Sequence, residues 1–258
     1  MTPLAVAVAG RGLVDPLEPV FGAGDEALLR GGAAFETLRV YDHRPFLLDR
    51  HLERLAHSAA ALALPAPAGA EDLIALVLTA APPDHVLRVY RTDEVLVATA
   101  AELPAGLDEL RSRGLALASV DTGAPTLLEG VKATSYAEAF AARRSVEADD
   151  ALLVTGDHVR ECATANIWWV RDGVLRTPAA GPGVLAGVTR SLVLELEPEA
   201  QAGTFTIAEL LEADEAFTSS SIREVMPVRS VDGRTLGSGK PGPASARLQA
   251  ALRLRSTR

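Results

Sequence analysis

The chain has 258 residues, of which 48% are hydrophobic, and it carries a formal net charge of −9. This length suits two closely packed domains, and the apolar fraction allows a sizeable core. The acidic balance and the scattered arginines argue against a nucleic-acid partner or an anionic membrane surface. No apolar run approaches the roughly 18 residues needed to span a bilayer, so we expect no membrane partner.

Cysteine and histidine usage narrows the class further. Cys162 is the single cysteine, which excludes an internal disulfide and favours a reducing, cytoplasmic setting. The first residues lack a basic region and are typical of a strand rather than a signal peptide. The five histidines show no metal-ligand spacing, so we expect no metal site.

In chain order, the first half begins with short strands and continues with two helices and further strands. Apolar alternation between turn residues predicts the strands, and apolar residues at helical spacing predict the helices. Asp49 is expected to cap the first helix. The predicted strands are 4–8, 34–41, 45–48, 86–91, 95–99 and 115–120, and the predicted helices are 50–62 and 71–80.

The second half alternates strands and helices without the regularity of βαβ units, so the sequence predicts an α+β fold. Asp172-Gly173 and Asp232-Gly233 predict tight hairpin turns. The turn-rich segment 121–125 is the predicted linker between a smaller domain, 1–120, and a larger one, 126–258. The predicted helices are 136–146, 185–196, 207–211 and 244–255, and the predicted strands are 151–154, 166–170, 174–176, 216–218 and 225–231.

Lys132 stands out by residue type. Only two of the 25 Lys and Arg residues are lysines, and the other, Lys240, lies in a turn-rich loop. Arginine stays protonated, whereas a desolvated lysine can lose its proton and attack a carbonyl group. Lys132 is therefore a candidate nucleophile, and the alternative is an ordinary surface charge.

Three features downstream of Lys132 suit a flat, phosphorylated cofactor. Glu161 lies at a strand end among small residues, where it is either buried against a ligand or a solvated turn acid. The segment 187–189 begins a helix after a glycine-rich loop, and its backbone N–H groups can bind an anion, as those of many helices can. The hydroxyl cluster 218–221 can donate hydrogen bonds to a phosphate or simply form a turn. Together with the lysine they suggest pyridoxal phosphate.

The order of these motifs resembles that of the class IV aminotransferases. This family comprises the fold-type IV pyridoxal-phosphate enzymes, including D-amino-acid and branched-chain aminotransferases and aminodeoxychorismate lyase. The resemblance spans essentially the whole chain and implies two α/β domains with the cofactor between them, in a homodimer at least. The matching stretches are FETLR (35–39), LDRHLERL (48–55), Lys132-x-x-x-Tyr136, ECATAN (161–166), LAGVTR (185–190) and SSIREVMPV (220–228).

The resemblance implies a role for each matching residue. Lys132 corresponds to the lysine that forms a Schiff base with pyridoxal 5′-phosphate and transfers the proton. Glu161 corresponds to the acid that hydrogen-bonds the pyridine nitrogen, which keeps the ring protonated as an electron sink. Asn166 is expected to brace its strand. The other implied cofactor contacts are Arg54, Val188, Thr189 and Ser221 at the phosphate and Tyr136 near the ring hydroxyl.

The predicted substrate pocket departs from that of the commoner family members. Arg30 replaces a family tyrosine near the pocket mouth, and the two residues after Ser221 are larger than usual. The loop after residue 91 is too short for the carboxylate trap of the D-amino-acid enzymes. We therefore expect arginines to bind a substrate carboxylate, and the alternative is that they face the solvent. The candidate substrate-binding residues are Arg30, Phe35, Arg88, Ile222 and Arg223.

These expectations define the predicted function. It is a pyridoxal-phosphate-dependent transaminase that moves an amino group between a small amino acid or primary amine and an α-keto acid. The family's lyase reaction, which releases pyruvate and 4-aminobenzoate from aminodeoxychorismate, uses the same cofactor shell and is the first alternative. A cofactor-binding protein without turnover is the second.

Overall fold

The computed structural model describes residues 3–124 and 130–256, which form two units with one β-sheet each. Unit 1 contains the residues up to Pro104 together with Val131–Tyr136, and unit 2 contains the described remainder. No helix within these described ranges combines the length and apolarity needed to cross a membrane.

Unit 1 is an antiparallel sheet of six strands in the order β2-β1-β6-β5-β3-β4. Two helices pack on one face, because their apolar residues recur at helical spacing and meet the inward residues of the strands. The elements are β1 (Ala5–Val8), β2 (Gly12–Val14), α1 (Glu26–Arg30), β3 (Ala34–Tyr41), β4 (Arg44–Pro45), α2 (Leu48–Ala61), α3 (Ala70–Ala80), β5 (His85–Arg91) and β6 (Leu96–Ala101).

Unit 2 is a mixed sheet of nine strands in the order β12-β11-β10-β13-β14-β7-β8-β9, with β15 paired to β14. Three pairs are parallel: β11 with β12, β14 with β7, and β7 with β8. The elements are α4 (Leu107–Arg113), β7 (Leu115–Asp121), α5 (Ala137–Ser145), β8 (Asp150–Thr155), β9 (His158–Cys162), β10 (Asn166–Arg171), β11 (Val174–Pro178), α6 (Val188–Leu196), β12 (Gln201–Gly203), α7 (Ile207–Leu211), β13 (Glu215–Ser220), β14 (Glu224–Val231), β15 (Arg234–Thr235) and α8 (Pro243–Ser256).

The predicted combination of α and β structure is confirmed, but the units differ from the predicted domains 1–120 and 126–258. β7 belongs to unit 2, because it pairs with β8 and β14. The segment 131–136, which contains Lys132, belongs to unit 1. Of the predicted linker 121–125, Asp121 ends β7 and Pro125 lies outside the described residues. Pairings between residues distant in sequence decide both assignments.

Local signals predict the hairpins better than the helix ends. Asp172 and Gly173 have φ of 51° and 74°, and they join the antiparallel β10 and β11 as predicted. Asp49 does not cap α2, because the helix begins at Leu48 and its N-cap is Leu47 with φ of 56°. Asp49 lies in the first turn, where its charge suits the helix dipole.

The surroundings of Gly31 provide a test of how closely the segment 131–136, which contains Lys132, packs in unit 1. Its φ is 68°, and an added Cβ would lie 3.1 Å from backbone atoms of Thr134 and Ser135. Gly10 has a similar φ of 73° with no atom within 4 Å of its Cβ position. We expect Gly31→Ala to lower the free energy of unfolding by about 2 kcal/mol or more, and Gly10→Ala by about 1 kcal/mol.

Urea denaturation of both variants measures the difference, since the backbone strain is common to them and the crowding is not. Equal losses of stability in the two variants would contradict the close packing of the 131–136 segment against Gly31.

Candidate functional site

Lys132 is fixed in unit 1 by backbone pairing with the start of β3. Ala133 forms an antiparallel bridge with Ala34. The Phe35 N–H donates to the Lys132 carbonyl at 3.0 Å, and the Thr134 N–H donates to the Ala33 carbonyl at 2.8 Å. The segment thus extends the edge of the sheet, and its side chains have a defined register against β3.

The Lys132 ammonium group lies against aromatic rings. Nζ is 4.6 Å from the centroid of the Phe35 ring and 3.5 Å from the Tyr136 hydroxyl. The backbone N–H of Lys132 donates to Ser58 Oγ of α2 at 3.2 Å. Three of the predicted residues, Lys132, Phe35 and Tyr136, are therefore brought together within unit 1.

The Phe35 face of the sheet continues as an aromatic surface. Tyr90 is the cross-strand partner of Phe35, and their rings stack with centroids 6.0 Å apart. Phe21 meets the edge of the Tyr90 ring at 6.4 Å. Arg88 lies two residues from Tyr90 on the same face of β5, where its charge partly opposes the rise in the pKa of Tyr90 that burial causes. Tyr90 was not a sequence candidate, because its pairing with Phe35 requires the strand register.

Arg54 takes part in a buried network that the motifs did not predict. Its Nε and Nη2 donate to the two oxygens of Glu36 at 2.7 and 2.8 Å. His51 Nδ1 lies 2.6 Å from Glu36 Oε2, and both Glu36 and His51 are almost completely buried. The bidentate bond holds the guanidinium in one orientation. The sequence signal was present, because His51 and Arg54 are three residues apart on one face of a predicted helix.

The charge states of this network follow from burial and hydrogen bonding. Burial raises the pKa of Glu36, but the bonds and charges of Arg54 and His51 outweigh it and lower the pKa from 4.5 to about 2. Burial lowers the pKa of His51, and the positive charges of Arg54 and Lys132 also lower it. The hydrogen bond and charge of Glu36 raise the pKa of His51, but they do not outweigh these effects. At neutral pH His51 is therefore neutral and its Nδ1–H donates to an ionised Glu36.

Glu161 lies near the end of β9 in unit 2 and is half-buried. Its Oε2 accepts a hydrogen bond from Asn166 Nδ2 at 2.9 Å and another from the Leu185 N–H at 3.1 Å. Two donors on one oxygen fix the direction of the Glu161 carboxyl group.

The start of α6 fits an anion. Gly187 is the N-cap, and Val188 and Thr189 form the buried first turn. Within the described residues, no side chain caps this helix and no acid lies in its first turn. A Cβ added at Gly187 would lie 2.1 Å from Asn166 Oδ1, so this position admits only glycine without a shift. The N–H groups of the first turn and the positive helix end suit a phosphate.

The turn that joins β13 to β14 carries Ser221, Ile222 and Arg223, which are half-buried. Arg223 Nη1 donates to Asp150 Oδ2 at 2.6 Å, and Asp150 is completely buried. Glu224, which follows the turn, is buried and has φ of 58°. The structure thus ties Arg223 to a carboxylate of unit 2 that the sequence did not indicate.

Arg30 and Arg88 differ in their surroundings. Arg30 ends α1, its side chain is 77% exposed, and its Nε is 2.5 Å from Glu26 Oε2. Arg88 is half-buried on β5 between the paired strands β3 and β6. Of the two, Arg88 is the better placed to act in a partly desolvated site.

Comparison with known proteins gives consistent results. The profile of the family described as amino-transferase class IV matches residues 33–231. A D-alanine aminotransferase from Listeria innocua is 29% identical over 264 residues, covering 92% of this chain and 91% of that protein. A putative branched-chain-amino-acid aminotransferase from Methanocaldococcus jannaschii is 28% identical, covering 92% and 91%. A solved fold IV transaminase from Curtobacterium pusillum has a TM-score of 0.82 at 28% identity, covering 95% and 93%.

The family match spans well over half of the chain, which therefore belongs to the class IV aminotransferases. The predicted fold-type IV architecture is confirmed. The protein is an enzyme of the aminotransferase type, and class IV aminotransferases use pyridoxal 5′-phosphate. These relatives are aminotransferases, so transamination is favoured over the lyase reaction and over a protein without turnover.

The Glu36 network predicts how stability depends on pH. Because the pKa of Glu36 lies below its ordinary value, its contribution is present above pH 4.5 and is lost as the pH falls towards 2. His51 adds a loss that begins below pH 6.5, since the unfolded chain then binds a proton that the folded chain does not. We expect Glu36→Gln to lower the free energy of unfolding at neutral pH by on the order of 3 kcal/mol.

Urea denaturation at several pH values measures this effect, with Glu53→Gln on the exposed side of α2 as the control. The free energy of unfolding of the control should decline with pH as that of the wild type does. In Glu36→Gln, the part of this decline that lies below pH 4.5 should be absent. A parallel decline in all three proteins would rule out the ionised Glu36 network.

Proposed function

We propose that the protein transfers an amino group between a small amino acid or primary amine and an α-keto acid, with Lys132 as the catalytic residue. The position of Lys132 carries this proposal. The pairing with β3 fixes its backbone, and Phe35 and Tyr136 surround its Nζ. We further propose a cytoplasmic homodimer, from the family resemblance and the reducing setting that a single cysteine favours.

Pyridoxal 5′-phosphate, when bound, supplies a ring that withdraws electrons from the substrate Cα. Lys132 would provide the point of covalent attachment and the base that takes the Cα proton and returns it. Tyr136 would orient the lysine amine through its hydroxyl group. Glu161 would hold the proton on the pyridine nitrogen, and the two hydrogen bonds that fix the direction of its carboxyl group support this role.

The phosphate would be bound by the first-turn N–H groups of Val188 and Thr189, with Ser221 and Arg54. The fit rests on two observations. Within the described residues no side chain caps the start of α6, and Gly187 packs too closely on Asn166 Oδ1 to carry a Cβ. Glu36 accepts from Nε and Nη2 of Arg54, which fixes the orientation of this guanidinium. That groups of both units bind one cofactor stays a prediction.

The substrate would meet the aromatic face of unit 1. Phe35 and Tyr90 offer an apolar surface beside Lys132, and Arg88 adds a positive charge on the same face. This combination suits a substrate with a small apolar part and a carboxylate. The D-alanine and branched-chain aminotransferases among the relatives support that class. Ile222, Arg30 and Arg223 remain candidate contacts.

The two lysines of the chain provide a matched test. We expect Lys132→Ala to abolish the visible absorption band of the cofactor-loaded protein and to lower the transamination rate by about 10³-fold or more. Lys240→Ala, in an exposed loop, should leave both unchanged. Borohydride reduction followed by peptide mass mapping should place the cofactor on Lys132. A labelled Lys240, or an active Lys132→Ala variant, would overturn the proposal.

Substrate trials decide between the chemistries. Transfer from D- or L-alanine to 2-oxoglutarate supports the transaminase and gives its stereochemistry. Release of pyruvate from aminodeoxychorismate without a keto-acid acceptor, in the absence of any transfer, would instead establish the lyase.

Arginine substitutions test the carboxylate site. We expect Arg88→Gln to raise KM for 2-oxoglutarate by about 10- to 100-fold, because a hydrogen-bonded charge pair is lost. KM for a neutral primary amine should change little. Arg44→Gln, whose side chain is 61% exposed in unit 1, is the control. Parallel Gln variants of Arg30 and Arg223 identify any other carboxylate contact, and an unchanged KM in all three variants would exclude the arginine site.

A further inference from the structure

Asn166 lies at the first position of β10 and is 5% exposed, and its amide joins two parts of unit 2. Nδ2 donates to Glu161 Oε2 and to the Leu185 carbonyl, both at 2.9 Å. Both partners are acceptors, so the NH₂ group must face them and Oδ1 must face the opposite way. Oδ1 lies next to Gly187, because a Cβ added at Gly187 would be only 2.1 Å from this oxygen.

The contacts of Asn166 close a ring of hydrogen bonds. The Leu185 N–H donates to the same Glu161 oxygen at 3.1 Å, while the Leu185 carbonyl accepts from Asn166. That carbonyl also accepts from the Gly187 N–H at 2.8 Å. Glu161 and the N-cap of α6 are thereby connected through one neutral side chain and one peptide unit.

We propose that Asn166 is a positioning residue that sets the spacing between the acid for the pyridine nitrogen and the helix end for the phosphate. The inference rests on the proposed function, which assigns these two groups to opposite ends of one cofactor. A planar cofactor of fixed length must contact both protein groups at once, so a shift of either group weakens the binding of the whole cofactor. Asn166 would act without touching the reacting atoms.

The neutral amide is essential to this role. An aspartate at 166 has the same shape, but at neutral pH it would place a second carboxylate about 3 Å from the Glu161 oxygen and from the Leu185 carbonyl, with no proton between them. A protonated aspartate could donate one of the two lost bonds. The variant Asn166→Asp should therefore recover partly as the pH falls, whereas the wild type should not gain.

Cofactor affinity of the apoprotein tests the proposal. We expect Asn166→Asp to weaken pyridoxal phosphate binding by about 10- to 100-fold at about pH 8, and to regain part of it towards about pH 6. Asn166→Ala should weaken the binding of both pyridoxal and inorganic phosphate, because each probe reports one end. Titration followed by absorbance or intrinsic fluorescence gives these constants without turnover.

Thr177→Val is the matched control for a purely structural role. Thr177 is completely buried on β11, and its Oγ1 donates to the Ile167 carbonyl at 2.9 Å. Its loss should lower the free energy of unfolding of the apoprotein while leaving both probes bound as in the wild type. The inference would be overturned if the Asn166 variants bound both probes as this control does, or if they weakened the binding of only one probe. A wild type that binds no pyridoxal phosphate would instead refute the proposed function.

Discussion

The antiparallel bridge between Ala34 and Ala133 is the constraint on which the arrangement around Lys132 depends. Backbone hydrogen bonds on both sides of this bridge fix the register, so Lys132 stands opposite Phe35 on the same face of the sheet. A slip of one residue would turn the lysine to the other face, where α2 and α3 pack. The nucleophile is thus placed by main-chain pairing, and its side chain needs only to extend along the Phe35 ring.

Helix α2 supports the same edge of the sheet through polar groups. Ser58 accepts the Lys132 N–H, while His51 and Arg54 hold Glu36 of β3. A buried carboxylate is costly unless it is fully bonded, and here two side chains satisfy both of its oxygens. The network therefore fixes α2 against β3 more specifically than apolar packing alone, because its hydrogen bonds require one orientation of each side chain.

The extent to which sequence predicts this structure follows the range of the interactions. Asp172-Gly173 specifies its hairpin locally, and the motif residues Lys132, Glu161 and Thr189 were found by type and order. The unit to which Lys132 belongs was not predicted, because its bridge joins residues about 100 positions apart. The stacking of Tyr90 on Phe35 likewise requires a strand register that no local pattern encodes.

The opposite charges on the two sides of Asn166 in unit 2 explain why a neutral side chain occupies this position. Glu161 supplies a negative charge at one end, and the start of α6 supplies a positive helix end at the other. Arg190, in the first turns of α6, is buried over the Trp168 ring, and although burial lowers the pKa of Arg190, the charge of Glu161 opposes that effect. A charged side chain between these groups would neutralise one end or the other. An amide bonds to both and leaves their opposite charges intact, as a ligand with a basic ring and an anionic phosphate requires.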